Sequence, residues 1–254
     1  MKEAKKLRRS SAGGYARGDE TRQRIIDAAA ELFGAHGFEG ASTRDIAARA
    51  GVNAPALQYY FENKEGVYRA CIESIADKVW AGFAPAVDQA RAVLDADAGA
   101  DALIDAFVGI QEAIAYRMFS EPGTPNQRLF FAREQSGYEP ESASEILFQR
   151  VRGPLNNVSC ALIGRITGAA PDDTVTRIRM FSLHGQLAIF HVAHRSTLAL
   201  LEWKAFDAEK AELLRTTIFA QTRTLLEQWH REREAKEARD TPRRAAAPRQ
   251  VKAR

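Results

Sequence analysis

The chain is poor in cysteine, in long apolar runs and in period-two patterning, and each shortage excludes something. Two cysteines, Cys71 and Cys160, lie far apart in 254 residues and match no metal-ligand spacing. That argues against a disulfide framework or a thiolate zinc site and points to a reducing compartment. No run approaches the roughly 20 apolar residues that a membrane span needs. The basic start, MKEAKKLRRSS, lacks the apolar stretch of a signal peptide. A soluble cytoplasmic protein without a membrane partner is expected. No stretch alternates apolar and polar residues over any length, so no sheet is expected. There is no GxSxG, no phosphate loop and no His/carboxylate metal motif, so neither an enzyme nor a cofactor or metal site is expected.

What is present is an ordinary apolar fraction, 45%, enough to bury a core. Charge is unevenly spread. Residues 1–18 carry six Lys/Arg against Glu3 alone, and residues 241–254 carry five with no acid; against a whole-chain net of +3, the body between them is acidic. Basic ends on an acidic body suit either a polyanion near the termini or solvated, disordered tails.

Helical periodicity begins at residue 21. TRQRIIDAAAELFGAH sets Ile25, Ile26, Ala29, Leu32 and Phe33 on one face, with Thr21 or Asp19 as a cap and Gly37 as a stop. In ASTRDIAARAGV, Ser42 and Asp45 have capping-box spacing, Ile46, Ala47 and Ala50 face inward, and Gly51 suits a turn of positive φ. Asn53 can cap a further short helix with Pro55 in its first turn, and Leu57 and Phe61 supply its core contacts. Residues 64–80 resume the pattern with Val67, Tyr68, Cys71, Ile72 and Ile75 inward. A short helix, a glycine turn and a second short helix, braced by longer helices, form the layout of a helix-turn-helix. A plain helical bundle with a tight turn fits the pattern too.

Three motifs then carry a resemblance. They are I-x-x-A-A-x-x-L-F-x-x-x-G-F ending at Phe38, S-T-R-D-I-A-x-x-A-G-V from Ser42 to Val52, and L-x-Y-Y-F-x-N-K-E-x-V-Y from Leu57 to Tyr68. In this order and spacing, residues 21–68 resemble the N-terminal domain of TetR/AcrR-family transcriptional regulators. The resemblance implies double-stranded DNA as partner. Thr43, Tyr60 and Lys64 would bond phosphate oxygens, which position a domain without reading sequence. Arg44 would reach a guanine edge, Gln58 an adenine, and Ala54 and Pro55 a thymine methyl. Tyr59 would touch backbone or stay within the domain. Many relatives carry tyrosine where this chain has Gln58, so the operator is not transferable. Lys5, Lys6, Arg8, Arg9 and Arg17 form an arm that such proteins sometimes lay along DNA.

The rest of the chain reads helical, with breaks at DADAGAD (95–101), SEPGTPN (120–126), GYEPES (137–142) and GAAPDD (168–173). Pro154 should bend or start a helix within 146–168. Residues 174–201 carry apolar groups around much of their circumference. Residues 207–230 do so on a narrower face of Leu213, Leu214, Ile218, Leu225 and Trp229. Two-sided burial and the resemblance together imply a homodimer through these last two long helices. R-E-x-x-x-x-x-P (Arg133, Glu134, Pro140) and H-G-Q-x-x-x-F-x-x-A-x-R (His184 to Arg195) are similar to the CecR-type C-terminal domain. In such a family an unknown small-molecule effector implies a pocket, and Phe107, Gln111, Met118, Phe130, Phe131, Arg133, Phe148, His184 and His191 are candidates for lining it. Arg133 and Glu134 suit a buried ion pair equally well.

The expectation is an all-α protein. A basic disordered arm (1–18) precedes a three-helix DNA-binding domain (19–66), a larger helical ligand-binding and dimerisation domain (67–230), and a basic disordered tail (231–254). It would be a ligand-responsive repressor on a palindromic operator, or else a constitutive DNA-binding dimer without an effector pocket.

Overall fold

The computed structural model describes residues 12–120 and 124–245, and within them every regular element is helical. The order is α1 (Ala12–Gly40), α2 (Thr43–Ala50), α3 (Ala54–Phe61), α4 (Lys64–Asp95), α5 (Ala100–Ala115), α6 (Pro125–Gln135), α7 (Glu141–Leu147), α8 (Gly153–Thr167), α9 (Thr174–Val192), α10 (His194–Leu200) and α11 (Ala208–Ala245). Wide π turns follow α5 at 116–120 and α7 at 148–152. The second runs into Pro154, whose missing N–H cannot serve the carbonyl one turn back. No helix among the described residues is long and apolar enough to cross a membrane.

The chain forms two compact units. One gathers the described residues 12–78 and 124–150; the other gathers 79–120 and 151–245. The first unit is therefore discontinuous, whereas a contiguous domain ending near 66 was expected. Its reason is a close approach: a Cβ on Gly34 of α1 would meet the Asn126 backbone oxygen of α6 at 2.8 Å. Only glycine lets the two helices lie so near. The core of this unit is Ile25, Ala29, Phe33, Ile46, Leu57, Phe61, Tyr68 and Ile72, as the periodicity predicts, joined by Phe130 from α6.

The start of α1 differs from expectation: the helix begins upstream of Thr21, within the expected arm. At Gly37 (φ 74°, ψ 174°) the helical conformation breaks, where a stop was expected, and a short further turn runs to Gly40. At the other end α11 runs through Ala245, although a disordered tail was expected from 231. The helix continues for a local reason: Glu227–Arg231 and Arg233–Glu237 are i,i+4 ion pairs that favour helix beyond its apolar stripe. Residues 1–11 and 246–254, with most of the expected arm and the end of the expected tail, lie outside the described residues.

In the second unit α5, α8, α9 and α11 pack around Ile104, Phe107, Ile110, Leu162, Ile163, Leu183, Leu187, Ile218 and Leu226. The expected helix 174–201 is broken at Ala193 (φ −89°, ψ 36°) into α9 and α10. On α11 Leu226 is fully buried, whereas Leu213 is exposed.

Candidate functional site

The first unit presents its short helices outward, and the caps explain their geometry. Ser42 accepts from the Asp45 N–H at 3.1 Å and donates its hydroxyl to the Asp45 carboxylate at 2.6 Å, fixing the start of α2. Gly51 closes α2 at φ 67°, its N–H shared between Ala47 and Ala48 carbonyls. Asn53 then starts α3 by accepting from the Ala56 N–H at 2.8 Å. Leu57 and Phe61 anchor α3 from below. The opposite face is left to Ala54, Pro55, Gln58 and Tyr59, all exposed, with Tyr59 84% accessible. Arg44 on α2 is exposed too. An eight-residue helix with a polar and small-residue face, free of its own unit, has the dimensions that enter a major groove.

A second surface lies beside it. Thr43 opens α2 and Lys64 opens α4, and both line a cleft of about 460 Å³ with Ser42, Gln58 and Asn63. The Lys64 ammonium lies 4.4 Å from the Phe38 ring centroid and donates to the Glu39 carbonyl at 3.4 Å. That leaves N–H donors for an oxyanion. Two helix N-termini, a hydroxyl and an ammonium together favour a phosphate. Tyr60 is half-buried, stacked edge-on with Tyr59 at 5.2 Å. All eight sequence-selected residues, Thr43, Arg44, Ala54, Pro55, Gln58, Tyr59, Tyr60 and Lys64, thus fall on α2, on α3 or at the start of α4.

The helical pattern breaks at Glu62-Asn63-Lys64, and the turn there places Lys64. Glu62 takes a left-handed φ of 57°, and Asn63 accepts from the Gly66 N–H at 2.8 Å. Gly66 itself leaves no room for a side chain, since its Cβ would stand 2.2 Å from the Phe61 carbonyl oxygen. Arg22, from α1, lies 5.2 Å over the Phe61 ring and is exposed at the end of α3. Arg17 is exposed on α1 as well.

The nine residues selected for a ligand pocket fall in different units. Phe130, Phe131, Arg133 and Phe148 belong to the first unit; Phe107, Gln111, Met118, His184 and His191 belong to the second. Arg133 is engaged inside its unit. Its Nε donates to Glu139 at 2.9 Å and its Nη2 to the carbonyls of Phe33 and Gly34. The ion pair is therefore Arg133–Glu139; Glu134 accepts instead from the Ser144 hydroxyl at 2.7 Å. Phe148 is exposed.

In the second unit Phe107 and His184 stack face to face, 5.1 Å between centroids and 4° between planes. Gln111, one turn on from Phe107, donates from Nε2 to the Leu183 carbonyl at 3.0 Å. The Ser159 hydroxyl donates to the Leu155 carbonyl at 2.9 Å, so the 3.0 Å contact to His184 Nε2 assigns the proton to that nitrogen. His184 Nδ1 is then an acceptor. It and Gln111 Oε1 are both buried without a hydrogen-bond partner. Burial pushes the His184 pKa down to about 4, so the ring is neutral near pH 7. Met118 and His191 are half-buried, in the π turn after α5 and on α9. Among the described residues no three metal-ligating side chains come together. Both cysteines are buried, and burial pushes the Cys71 thiol up to about 12.

The outer face of α9 is apolar. Ile178, Phe181, Ile189 and Val192 are exposed, Phe181 by 75%, and Gly185 sits between them with open space before it. At helical spacing these five share one stripe.

Comparison with known proteins agrees with both halves of this description. Residues 25–71 match the family model described as bacterial regulatory proteins of the tetR family. Residues 103–228 match the model for the C-terminal domain of the HTH-type transcriptional dual regulator CecR. The chain is 31% identical over 202 residues to the HTH-type transcriptional dual regulator CecR of Shigella flexneri, covering 80% of this chain and 89% of that one. It is 33% identical over 125 residues to the HTH-type transcriptional regulator SrpR of Pseudomonas putida, covering 47% of this chain and 57% of that one. Among solved structures, a transcriptional regulator from Pseudomonas aeruginosa PAO1 shares the fold at a TM-score of 0.57 and 17% identity, covering 84% of this chain and 94% of its own.

Proposed function

Because the chain belongs to the TetR family of bacterial transcriptional regulators, with a C-terminal domain of the CecR type, we propose that it is a homodimeric repressor that binds a palindromic operator and is released by a small molecule. The observation that carries this reading is the outward face of α3. Gln58 on that face and Arg44 on the neighbouring α2 read base edges, with Ala54 and Pro55 against thymine methyls. Thr43, Tyr60 and Lys64 hold phosphates, and Tyr59 lies along the backbone. Arg17 and Arg22 extend the basic track.

The dimer reading is supported by the α9 stripe around Phe181 and Gly185. A second copy related by a two-fold axis buries that stripe against its own and brings two reading heads to two half-sites. The exposed face of α11, with Thr217, Ala220 and Thr224, is small enough to pack closely beside it.

Release by a ligand, rather than constitutive binding, is favoured by the polar cluster in the second unit. Two buried acceptors, Gln111 Oε1 and His184 Nδ1, lack donors, beside the stacked Phe107 and His184 rings. This chemistry suits an uncharged molecule with at least one N–H or O–H donor. A ligand that binds one spacing of the two heads more tightly than the other shifts the population and lowers operator affinity by the same coupling free energy.

The test is selection from a pool of random duplexes. The protein is expected to enrich an inverted repeat whose half-sites lie about 34 Å apart or a multiple of that. A pool that never converges, at any salt concentration that permits binding, sinks the reading.

A further inference from the structure

The break in α1 at Gly37 is closed by two charged side chains from elsewhere in the same unit. In an unbroken helix the Phe38 N–H would donate to the Gly34 carbonyl. At the kink it turns away and donates to Glu139 Oε2 at 3.2 Å. The Gly34 carbonyl, and the Phe33 carbonyl beside it, accept from Arg133 Nη2 instead. Arg133 and Glu139 complete the circuit with their own 2.9 Å bond. Glu139 also accepts from the Tyr68 hydroxyl of α4 at 2.9 Å, and its side chain is wholly buried. One lost rung of a helix is thus replaced by an ion pair that also ties down α4.

These contacts reach the reading surface in one step each. Phe38 stacks edge-on with Tyr68 at 5.0 Å and underlies the Lys64 ammonium. Glu39, next in the chain, supplies the carbonyl that Lys64 bonds. The segment just past the kink then leads through Ala41 into the Ser42 cap of α2.

We infer that Arg133 and Glu139 are positioning residues for DNA binding: spliced into the α1 break, they hold the segment that sets Lys64 and the start of α2 against the phosphate backbone. The DNA-binding apparatus of this chain therefore includes 124–150, outside the residues that match the N-terminal family model. This rests on the DNA-binding reading above. A carboxylate and a guanidinium that satisfy backbone groups cannot be exchanged for apolar residues of similar size, because the freed N–H and carbonyls would stay buried and unpaired.

The experiment uses the full-length chain with the duplex selected by the wild type. Glu139→Ala and Arg133→Ala are expected to lower affinity by roughly tenfold or more, with helical content by circular dichroism unchanged. The double variant should be little worse than either single one, because the two act as a unit. Arg133→Lys should retain more affinity than Arg133→Ala. Amide hydrogen exchange, read without DNA, should accelerate in residues 33–40 while α9 and α11 keep their protection. If Glu139→Ala does not fold, Glu139→Gln, which keeps the shape, is judged by the same two readouts. Wild-type affinity in the folded variants, or an affinity loss with no change of exchange at 33–40, overturns the inference. A wild type that selects no duplex contradicts the functional reading instead, and the exchange result then decides whether the pair holds the segment at all.

Discussion

Phe181→Asp is expected to leave a folded monomer that has lost most of its DNA binding. The side chain is 75% exposed on α9, so the substitution removes little from the core of its own subunit. In a two-fold dimer the same position occurs twice across one seam, so two carboxylates would be buried there without partners. That costs several kcal/mol, enough to dissociate the pair at micromolar concentration. A single head then faces a single half-site, and losing the second contact lowers apparent affinity by about 100-fold or more. Sedimentation of the variant should give one subunit mass, and titration of the selected duplex should show the weakened binding. An unaltered dimer with unaltered affinity would place the subunit contact elsewhere.

Gly66→Ala should act on the other unit. A Cβ at this position would stand 2.2 Å from the Phe61 carbonyl oxygen, a backbone atom that cannot swing aside. Either α3 or α4 has to shift, and the Asn63 cap on the Gly66 N–H is broken as it does so. Overpacking and a lost cap together cost about 2–4 kcal/mol. Because α3 ends at Phe61 and α4 starts at Lys64, the strain falls between the reading helix and the phosphate contact. Thermal unfolding should begin at a lower temperature, and affinity for the selected duplex should fall even below that temperature. A wild-type melting curve would mean that the turn is softer than its geometry implies.

The helix-turn-helix was legible because its signals are local. Ser42, Gly51, Asn53 and Pro55 act within one helical turn of where they stand, and the inward residues follow from a 3.6 period. The outward face was legible for the same reason, as what remains once Leu57 and Phe61 are taken inside. What escaped the sequence depends on contacts far along the chain. Glu139 meets Phe38 and Tyr68 across 101 and 71 residues, and nothing near Tyr138 or Pro140 announces them. Arg133 was legible as one half of a possible ion pair, but the adjacent Glu134 points elsewhere, and Glu139 is the partner. Gly37 was legible as a break, because glycine signals positive φ, but the groups that take up the freed N–H and carbonyls were not. On α11, ion pairs extended a helix where composition alone read as tail.

The central claim, that α3 meets base edges while Lys64 meets phosphate, is tested most directly by competition between the selected duplex and a scrambled one of equal length. Gln58→Ala should narrow the preference for the selected duplex by about 1–3 kcal/mol and leave binding to the scrambled one nearly unchanged. Lys64→Ala should weaken both alike and make the slope of log K against log salt shallower by about one. If Gln58→Ala keeps the full preference, and Lys64→Ala alters neither affinity nor salt slope, DNA does not bind on this face.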